Sequence, residues 1–126
     1  MLLKNFLFLC VLTLATLATF AQANDTPQKY VGTWTGAWYE GMTSGTLWLT
    51  FQPNGNGSIR FTNLAKFGTS ERPLTAIRFL GNRINFSANG EGVHDFVSHV
   101  FLIGGNKLRG NAEFDGLAVT YRLSKK

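Results

Sequence analysis

The chain has 126 residues, a formal net charge of +5 and a single cysteine. This length is sufficient for one hydrophobic core and excludes a second one of ordinary size. The excess of positive charge is modest and spread along the chain, which favours anionic partners in general but indicates no nucleic-acid-binding cluster.

The N-terminal residues have the three parts of a secretory signal. Lys4 precedes an apolar stretch at 6–20, and Ala21-Gln22-Ala23 has the small-x-small pattern of a signal-peptidase site. The stretch is shorter than the roughly 20 apolar residues of a membrane span, and threonines interrupt it. We therefore predict a cleaved signal peptide at 1–23, a single domain at 24–126, a secreted or periplasmic location and no stable membrane anchor.

Cys10 lies inside this leader and not at the end of the apolar stretch, where a lipid-anchored protein would carry it. The mature domain therefore has neither a disulfide nor a free thiol. Small exported domains often depend on disulfides, so this one must be held together by its core alone. A closed sheet meets that requirement, and a bacterial periplasm is the compartment that fits best.

Alternation of apolar and polar residues recurs along the mature chain, and Gly, Asn and Asp punctuate it. Eight strands are predicted near residues 30–39, 45–52, 57–64, 74–80, 83–88, 93–103, 107–114 and 117–124. The long connector from Ala65 to Pro73 has room for a short helical turn. The fold class is all-β, an antiparallel up-and-down meander that closes into a small barrel and so removes its exposed edges. A curved half-barrel packed on a partner is the alternative.

The length of each turn determines which residues of the two flanking strands face each other. The predicted pairs can therefore be checked for a consistent apolar face, as a meander requires. The expected inward pairs are Phe114 with Leu117, Ala112 with Val119, Leu108 with Leu123, Phe79 with Ile84, Ile77 with Phe86, Phe51 with Ile59, and Leu49 with Phe61. Large inward side chains predict a mostly filled interior, and they are Phe51, Phe61, Phe79, Phe86, Phe101, Phe114 and Tyr121. Any cavity is then small or near one mouth.

Two alternative sets of side chains in strand 93–103 can point into the barrel, depending on the turn that follows the strand. A two-residue turn at Gly105-Asn106 sends Asp95 and His99 inward together with Val93, Val97 and Phe101. A three-residue turn with a bulge instead sends inward His94, Phe96, Val100 and Leu102. In the first register, which we expect, an acid and an imidazole inside the barrel would need polar partners or a polar ligand head group.

Gly32-Thr33-Trp34 opens the first strand, and Arg122 lies in the last. This pattern resembles the calycin type of barrel, which comprises lipocalins, fatty-acid-binding proteins and avidins. The resemblance implies structural roles for Gly32 and Trp34, with the tryptophan packed against a basic residue of the final strand, here Arg122. The chain lacks the disulfides and terminal helix of lipocalins and a biotin-site residue set, so no ligand is carried over.

No catalytic signature is recognisable, and we expect neither an enzyme nor a cofactor. His94, Asp95 and His99 form the one cluster of chemically useful groups. His94 and His99 point to opposite faces of a strand, and Asp95 and His99 lie roughly 13 Å apart along it, too far to share a metal ion. The sequence therefore predicts no metal site.

Two functions remain, both without catalysis. The first is binding of a small hydrophobic or amphipathic ligand at a barrel mouth, with Trp38, Asp95, His99 and Tyr121 as the contact residues. The second is a periplasmic protein-interaction module, such as an inhibitor, an immunity-like protein or an accessory subunit. It would bind an acidic protein partner through the basic outer face, and its contact residues are Trp48, Arg60, Arg109 and Arg122.

Overall fold

The computed structural model describes residues 25–92 and 94–126. The predicted signal peptide lies outside these residues and stays a prediction. A short 3-10 helix at Gln28–Tyr30 precedes the strands, which are β1 Gly32–Glu40, β2 Thr43–Phe51, β3 Gly57–Phe61, β4 Arg72–Leu80, β5 Arg83–Asn89, β6 Asp95–Ile103, β7 Lys107–Phe114 and β8 Leu117–Lys125. Within the described ranges, no helix has the length and apolar character needed to cross a membrane.

Each strand pairs antiparallel with the next in sequence, and β8 pairs with β1 to close the barrel. The all-β meander and its closure are therefore confirmed, and the open half-barrel is not formed. The long connector contains a single turn, in which Phe67 N–H donates to the Leu64 carbonyl over 3.3 Å. We call the two ends of the barrel the Tyr30 end and the Phe67 end, after the buried aromatic residue that covers each.

The predicted register is confirmed around Asp115-Gly116, where Ala112 faces Val119 and Arg109 faces Arg122. The β2–β3 hairpin is shifted by two residues from its predicted register. Five residues link the strands, so Phe51 pairs with Gly57 and Leu49 with Ile59. A shift of two keeps every side chain on its face because the side-chain period of a strand is two.

A β-bulge in β4 breaks the predicted pairing of Ile77 with Phe86. The register shifts between Thr75 and Arg78, and Ala76 has a φ of 51°. The pairing of Phe79 with Ile84 nearer the turn is confirmed. The bulge therefore bends the strand without moving the hairpin's apolar end out of the core.

The expected facing of strand 93–103 was wrong. Gly104, with a φ of +68°, begins a three-residue link, so Ile103 pairs with Lys107 and the parity of β6 is reversed. Phe96, Ser98 and Val100 are buried as a result. The side chains that were expected inside and instead face out are Asp95, Val97, His99 and Phe101. This register avoids placing a carboxylate and an imidazole in an apolar interior.

The barrel interior is packed with aromatic rings. Phe96 packs against several of them, with ring centroids 5.0 Å from Phe61, 6.4 Å from Phe86 and 6.4 Å from Tyr121. The other predicted inward rings lie inside as expected, apart from Phe101, which is 41% exposed. An eight-stranded barrel is only wide enough to be filled by side chains or to hold one small ligand, and here side chains take the space.

Candidate functional site

Two predicted ligand residues, Trp38 and Tyr121, lie inside the barrel and are fully buried. Trp38 Nε1–H donates to the Thr62 carbonyl over 2.9 Å, and the Tyr121 hydroxyl is 2.5 Å from Ser98 Oγ. Burial raises the pKa of the Tyr121 phenol well above its usual range. Both polar groups thus have protein partners, and the phenol stays neutral at physiological pH.

The Tyr121 ring lies directly over Gly110 on the neighbouring strand. A Cβ atom at position 110 would come within 2.0 Å of that ring, so only glycine fits beneath it. The same arrangement recurs at Gly45, where a Cβ would come within 2.6 Å of Trp38 Nε1. These contacts fix the two rings in place and leave them as parts of the packed interior.

The other two predicted ligand residues, Asp95 and His99, are on the outer face. Asp95 is exposed beside Asn89, and His99 Nδ1 is 2.7 Å from Asn85 Oδ1. The structure therefore does not bring the four predicted ligand residues together. In the described part of the chain, no group of three or more His, Cys, Asp and Glu side chains is arranged to hold a metal ion.

Gly32 and Trp34, for which the resemblance implies structural roles, lie at the start of β1. Trp34 is fully buried, and its Nε1–H donates to the Tyr30 carbonyl over 3.0 Å. The basic group over its ring is Lys125 Nζ, 5.4 Å from the ring centroid. The expectation that Arg122 fills this place was wrong, because Arg122 faces outward on β8 and Lys125 is the residue paired with Trp34.

The outer wall carries a cross-strand row that we call the arginine row: Arg83, Phe101, Arg109 and Arg122. The register sets these residues side by side, with Phe101 between Arg83 and Arg109, and Arg109 facing Arg122. All four are exposed. Neighbouring strands are about 4.8 Å apart, so the row extends about 14 Å around the barrel.

Two shallow pockets lie beside this row and share Asn111. One, of about 410 Å³, is lined by Arg109, Arg122 and Tyr39, among others, and the last of these is 49% exposed. The second, also of about 410 Å³, includes His99, Val97 and Glu113 in its lining. Together with the arginine row they form a continuous surface, mainly of basic, aromatic and amide groups, across β5 to β8 and the end of β1.

The arginine row forms no salt bridge within residues 25–92 and 94–126. Among the described residues, the salt bridges join Lys66 and His94 to Asp115, and neither involves the arginine row. Like charges directly opposite each other on neighbouring strands are mildly destabilising. The pairing of Arg109 with Arg122 is therefore unfavourable to the isolated fold and suited to binding an anionic group.

Trp48 and Arg60 form a separate site on β2 and β3. The Arg60 guanidinium carbon lies 3.9 Å from the Trp48 ring centroid, and both residues line a third pocket. This pocket also includes Thr69, Ser70 and Glu71, so Trp48 faces outward and also lies beside the long connector. The four predicted partner-binding residues thus belong to two sites, with β1 between them.

Sequence reasoning missed Phe101 and Tyr39 as surface residues that extend the predicted basic face. The signal for Phe101 was present in Gly104-Gly105-Asn106, because a three-residue link would have placed Phe101 outside, between the two arginines. The sequence alone does not determine whether this link has two residues or three.

No protein-family model matches the chain, and no curated protein matches it. A solved structure, fatty-acid-binding protein 1 of Echinococcus granulosus, is similar to it with a TM-score of 0.47 and 11% identity. The match covers 79% of this chain and 98% of that protein. At this level of similarity, neither a ligand nor a site residue is transferred.

Proposed function

We propose that this protein is a non-catalytic interaction module that binds an acidic protein surface through the arginine row. The observation that carries the proposal is the placement of exposed Phe101 between Arg83 and Arg109, with Arg122 beside them and, among the residues that the structure describes, no carboxylate in a salt bridge with the row. Arginine and aromatic side chains are the usual anchors of protein interfaces.

The chemistry of the row favours carboxylates as the complementary groups. Guanidinium groups bind carboxylates through two parallel hydrogen bonds, and an acidic partner would also remove the repulsion between Arg109 and Arg122. Phe101 supplies apolar area between these charges. Tyr39 and Asn111 extend the surface with hydrogen-bonding groups, which suits a protein partner better than a small anion.

The proposed site of action is outside the cytoplasm, in the periplasm or the extracellular medium. This part of the proposal is supported by the leader pattern at residues 1–23 and by the lack of cysteine after residue 10. A domain that folds without disulfides can mature in that compartment without an oxidising partner.

A charge-reversal experiment tests the arginine row. The parent protein, Arg109→Glu and Arg122→Glu are immobilised and exposed to the envelope fraction of the producing cell. Lys126→Glu is the control, because it makes the same charge change at an exposed residue outside the row. We expect one acidic protein to be retained by the parent and the control, and retention by either arginine variant to fall at least about tenfold.

Salt completes the test, because an interaction between exposed charges weakens as ionic strength rises. Retention that is unchanged by both arginine variants and by salt would refute the proposal. Retention lost equally in Lys126→Glu would show that net charge, not the row, holds the partner.

A second candidate is a small amphipathic ligand at the Phe67 end of the barrel. The observation that favours it is that one side chain on the long connector, Phe67, covers that end above Phe61 and Phe114. Native mass spectrometry of the protein from its own host tests it. A discrete small added mass, lost in Phe67→Ala, would support the internal ligand, and a bare chain would count against it.

A further inference from the structure

The pocket beside Trp48 lies on the opposite side of β1 from the arginine row. Its volume is about 340 Å³. One wall is the outer face of β1 to β3, and the other is the end of the long connector. The lining residues are Thr33, Trp48, Thr50, Ser58, Arg60, Thr69, Ser70 and Glu71. The volume is at the lower end of the roughly 300–1,000 Å³ range of small-molecule sites, which suits an occupant of one or two rings.

The lining is rich in hydroxyl groups, and the charges within it balance. Five of the eight lining residues are Ser or Thr, and a single guanidinium, Arg60, is matched by a single carboxylate, Glu71. Hydroxyl groups both donate and accept hydrogen bonds. The Thr33 and Thr50 hydroxyls are 3.1 Å apart, and the Ser58 hydroxyl donates to Glu71, so these groups form two polar pairs, with Thr50 opposite Ser58 on the neighbouring strand.

Trp48 adds a flat apolar surface to this polar lining. Arg60 stacks on the indole at 3.9 Å and limits the motion of both side chains. The indole is half-buried, so part of it stays open to the pocket. A ligand that fits must therefore offer an apolar ring face together with several neutral hydroxyl groups.

From this combination we infer that the Trp48 pocket binds a neutral sugar unit, as a monosaccharide or the end of a glycan chain. The C–H face of a pyranose ring packs on an aromatic surface by dispersion, and its hydroxyls match groups that donate and accept. A simple anion would meet the Glu71 carboxylate, and a hydrocarbon would remove the five lining hydroxyls from water and offer them no hydrogen bond. The inference does not depend on the proposed protein partner.

Tryptophan fluorescence gives a direct readout of this pocket. The chain has three tryptophans, and Trp34 and Trp38 are fully buried, so Trp48 is the one open to a neutral quencher such as acrylamide. The probes are glucose, galactose, N-acetylglucosamine and their disaccharides at millimolar concentration. We expect at least one of them to reduce quenching of Trp48, with a dissociation constant of the order of 1 mM.

Backbone amide NMR locates the binding. The expected shifts are at Thr50, Ser58 and Ser70, while the amides of the arginine row stay unchanged. Glu71→Gln should weaken the successful sugar about tenfold by removing a charged acceptor, and Ser70→Ala should weaken it less. Ser124→Ala is the matched control, because this exposed hydroxyl lies on β8 outside the pocket.

Three results would overturn the inference. One is the absence of pocket shifts for every neutral sugar tested. Another is protection of Trp48 by sulfate or acetate but not by sugars, which would make the ligand an anion. The third is a sugar affinity that Glu71→Gln and Ser70→Ala leave equal to that of Ser124→Ala.

Discussion

The two ends of the barrel are closed in different ways. At the Tyr30 end, the covering ring belongs to a short 3-10 helix directly before β1, and its hydroxyl donates to the Gly81 carbonyl over 2.6 Å. At the Phe67 end, the covering ring belongs to a long connector between β3 and β4. The first closure uses neutral hydrogen bonds next to the core, whereas the second depends in part on exposed charges.

The Phe67 end is held by contacts from several segments. Arg72 Nε–H donates to the Phe67 carbonyl over 2.7 Å, and Glu91 N–H donates to the Lys66 carbonyl over 2.8 Å. Asp115 accepts from Lys66 Nζ at 3.0 Å and lies 3.0 Å from His94 Nδ1. A closure built from exposed ion pairs is weaker and more sensitive to conditions than one built from buried groups. The Phe67 end is therefore the one that can adjust.

The largest effect should come from removing the ring that supports the Tyr30 end. Trp34→Ala deletes a fully buried indole and its hydrogen bond to Tyr30, and we expect a loss of about 4–5 kcal/mol in the free energy of unfolding. Thermal unfolding measures it, with a fall in Tm of more than about 15 °C for a domain of this size. Tyr30→Phe, which keeps the ring and removes the bond to Gly81, should cost only about 1 kcal/mol.

A Trp34→Ala protein with the melting temperature of the parent would contradict this account of the Tyr30 end. It would also remove the structural role that the calycin resemblance assigns to Trp34. If Trp34→Ala does not fold, Trp34→Phe still tests the hydrogen bond, because it fills most of the space and loses the donor.

A smaller effect is expected at the Phe67 end. Phe67→Ala should cost about 3 kcal/mol, since the connector can partly settle over the space left by the ring. The interior should also become accessible, so we expect hydrophobic-dye binding and faster hydrogen exchange at the Trp38 indole. Urea unfolding and NMR measure these two changes.

Phe101→Ala is the matched control, with the same substitution on the outer wall. It should change stability by less than about 1 kcal/mol, because Phe101 is exposed. Equal losses in Phe67→Ala and Phe101→Ala would mean that β6 has the opposite facing and that Phe101 supports the core.

The sequence predicted the barrel well because its evidence is periodic and repeated. Several hairpins with an apolar face, such as that around Asp115-Gly116, support one meander, and a two-residue slip like that of β2 against β3 changes no face. The candidate site depended on a single link, Gly104-Gly105-Asn106. Adding one residue to that link moved Asp95, His99 and Phe101 to the other side of the wall. The length of the link depends on which side chains become buried across the whole barrel. The turn residues alone carry no information about that burial.

The role of Lys125 was missed for a different reason. The resemblance was applied to Arg122, because the predicted last strand ended at residue 124, whereas β8 extends to Lys125. Pairing between β1 and β8 sets Lys125 opposite Trp34, and this pairing joins the two ends of the described chain. No turn joins β1 to β8, so their register is determined only when the barrel closes.

The smallest loss of stability should come from removing a charge at the Phe67 end, and this loss depends on pH. The hydrogen bond from Lys66, aided by His94, lowers the pKa of the Asp115 carboxyl below its usual value of 3.8. A lowered pKa stabilises the fold fully above the usual value, and this stabilisation is lost as the pH falls through the lowered value. Asp115→Asn should therefore be less stable than the parent at neutral pH, and the two stability curves should converge in acid.

Urea unfolding across the acid range measures this convergence, with Glu113→Gln as the control. Glu113 is an exposed acid near the same end of β7, and it takes part in neither of the salt bridges found among the described residues. Glu113→Gln should follow the parent at every pH. A parent and Asp115→Asn that differ by a constant amount down to the lowest pH would show that the carboxylate charge does not hold the connector. The Phe67 end would then be fixed by packing and by hydrogen bonds to backbone carbonyls, as the Tyr30 end is.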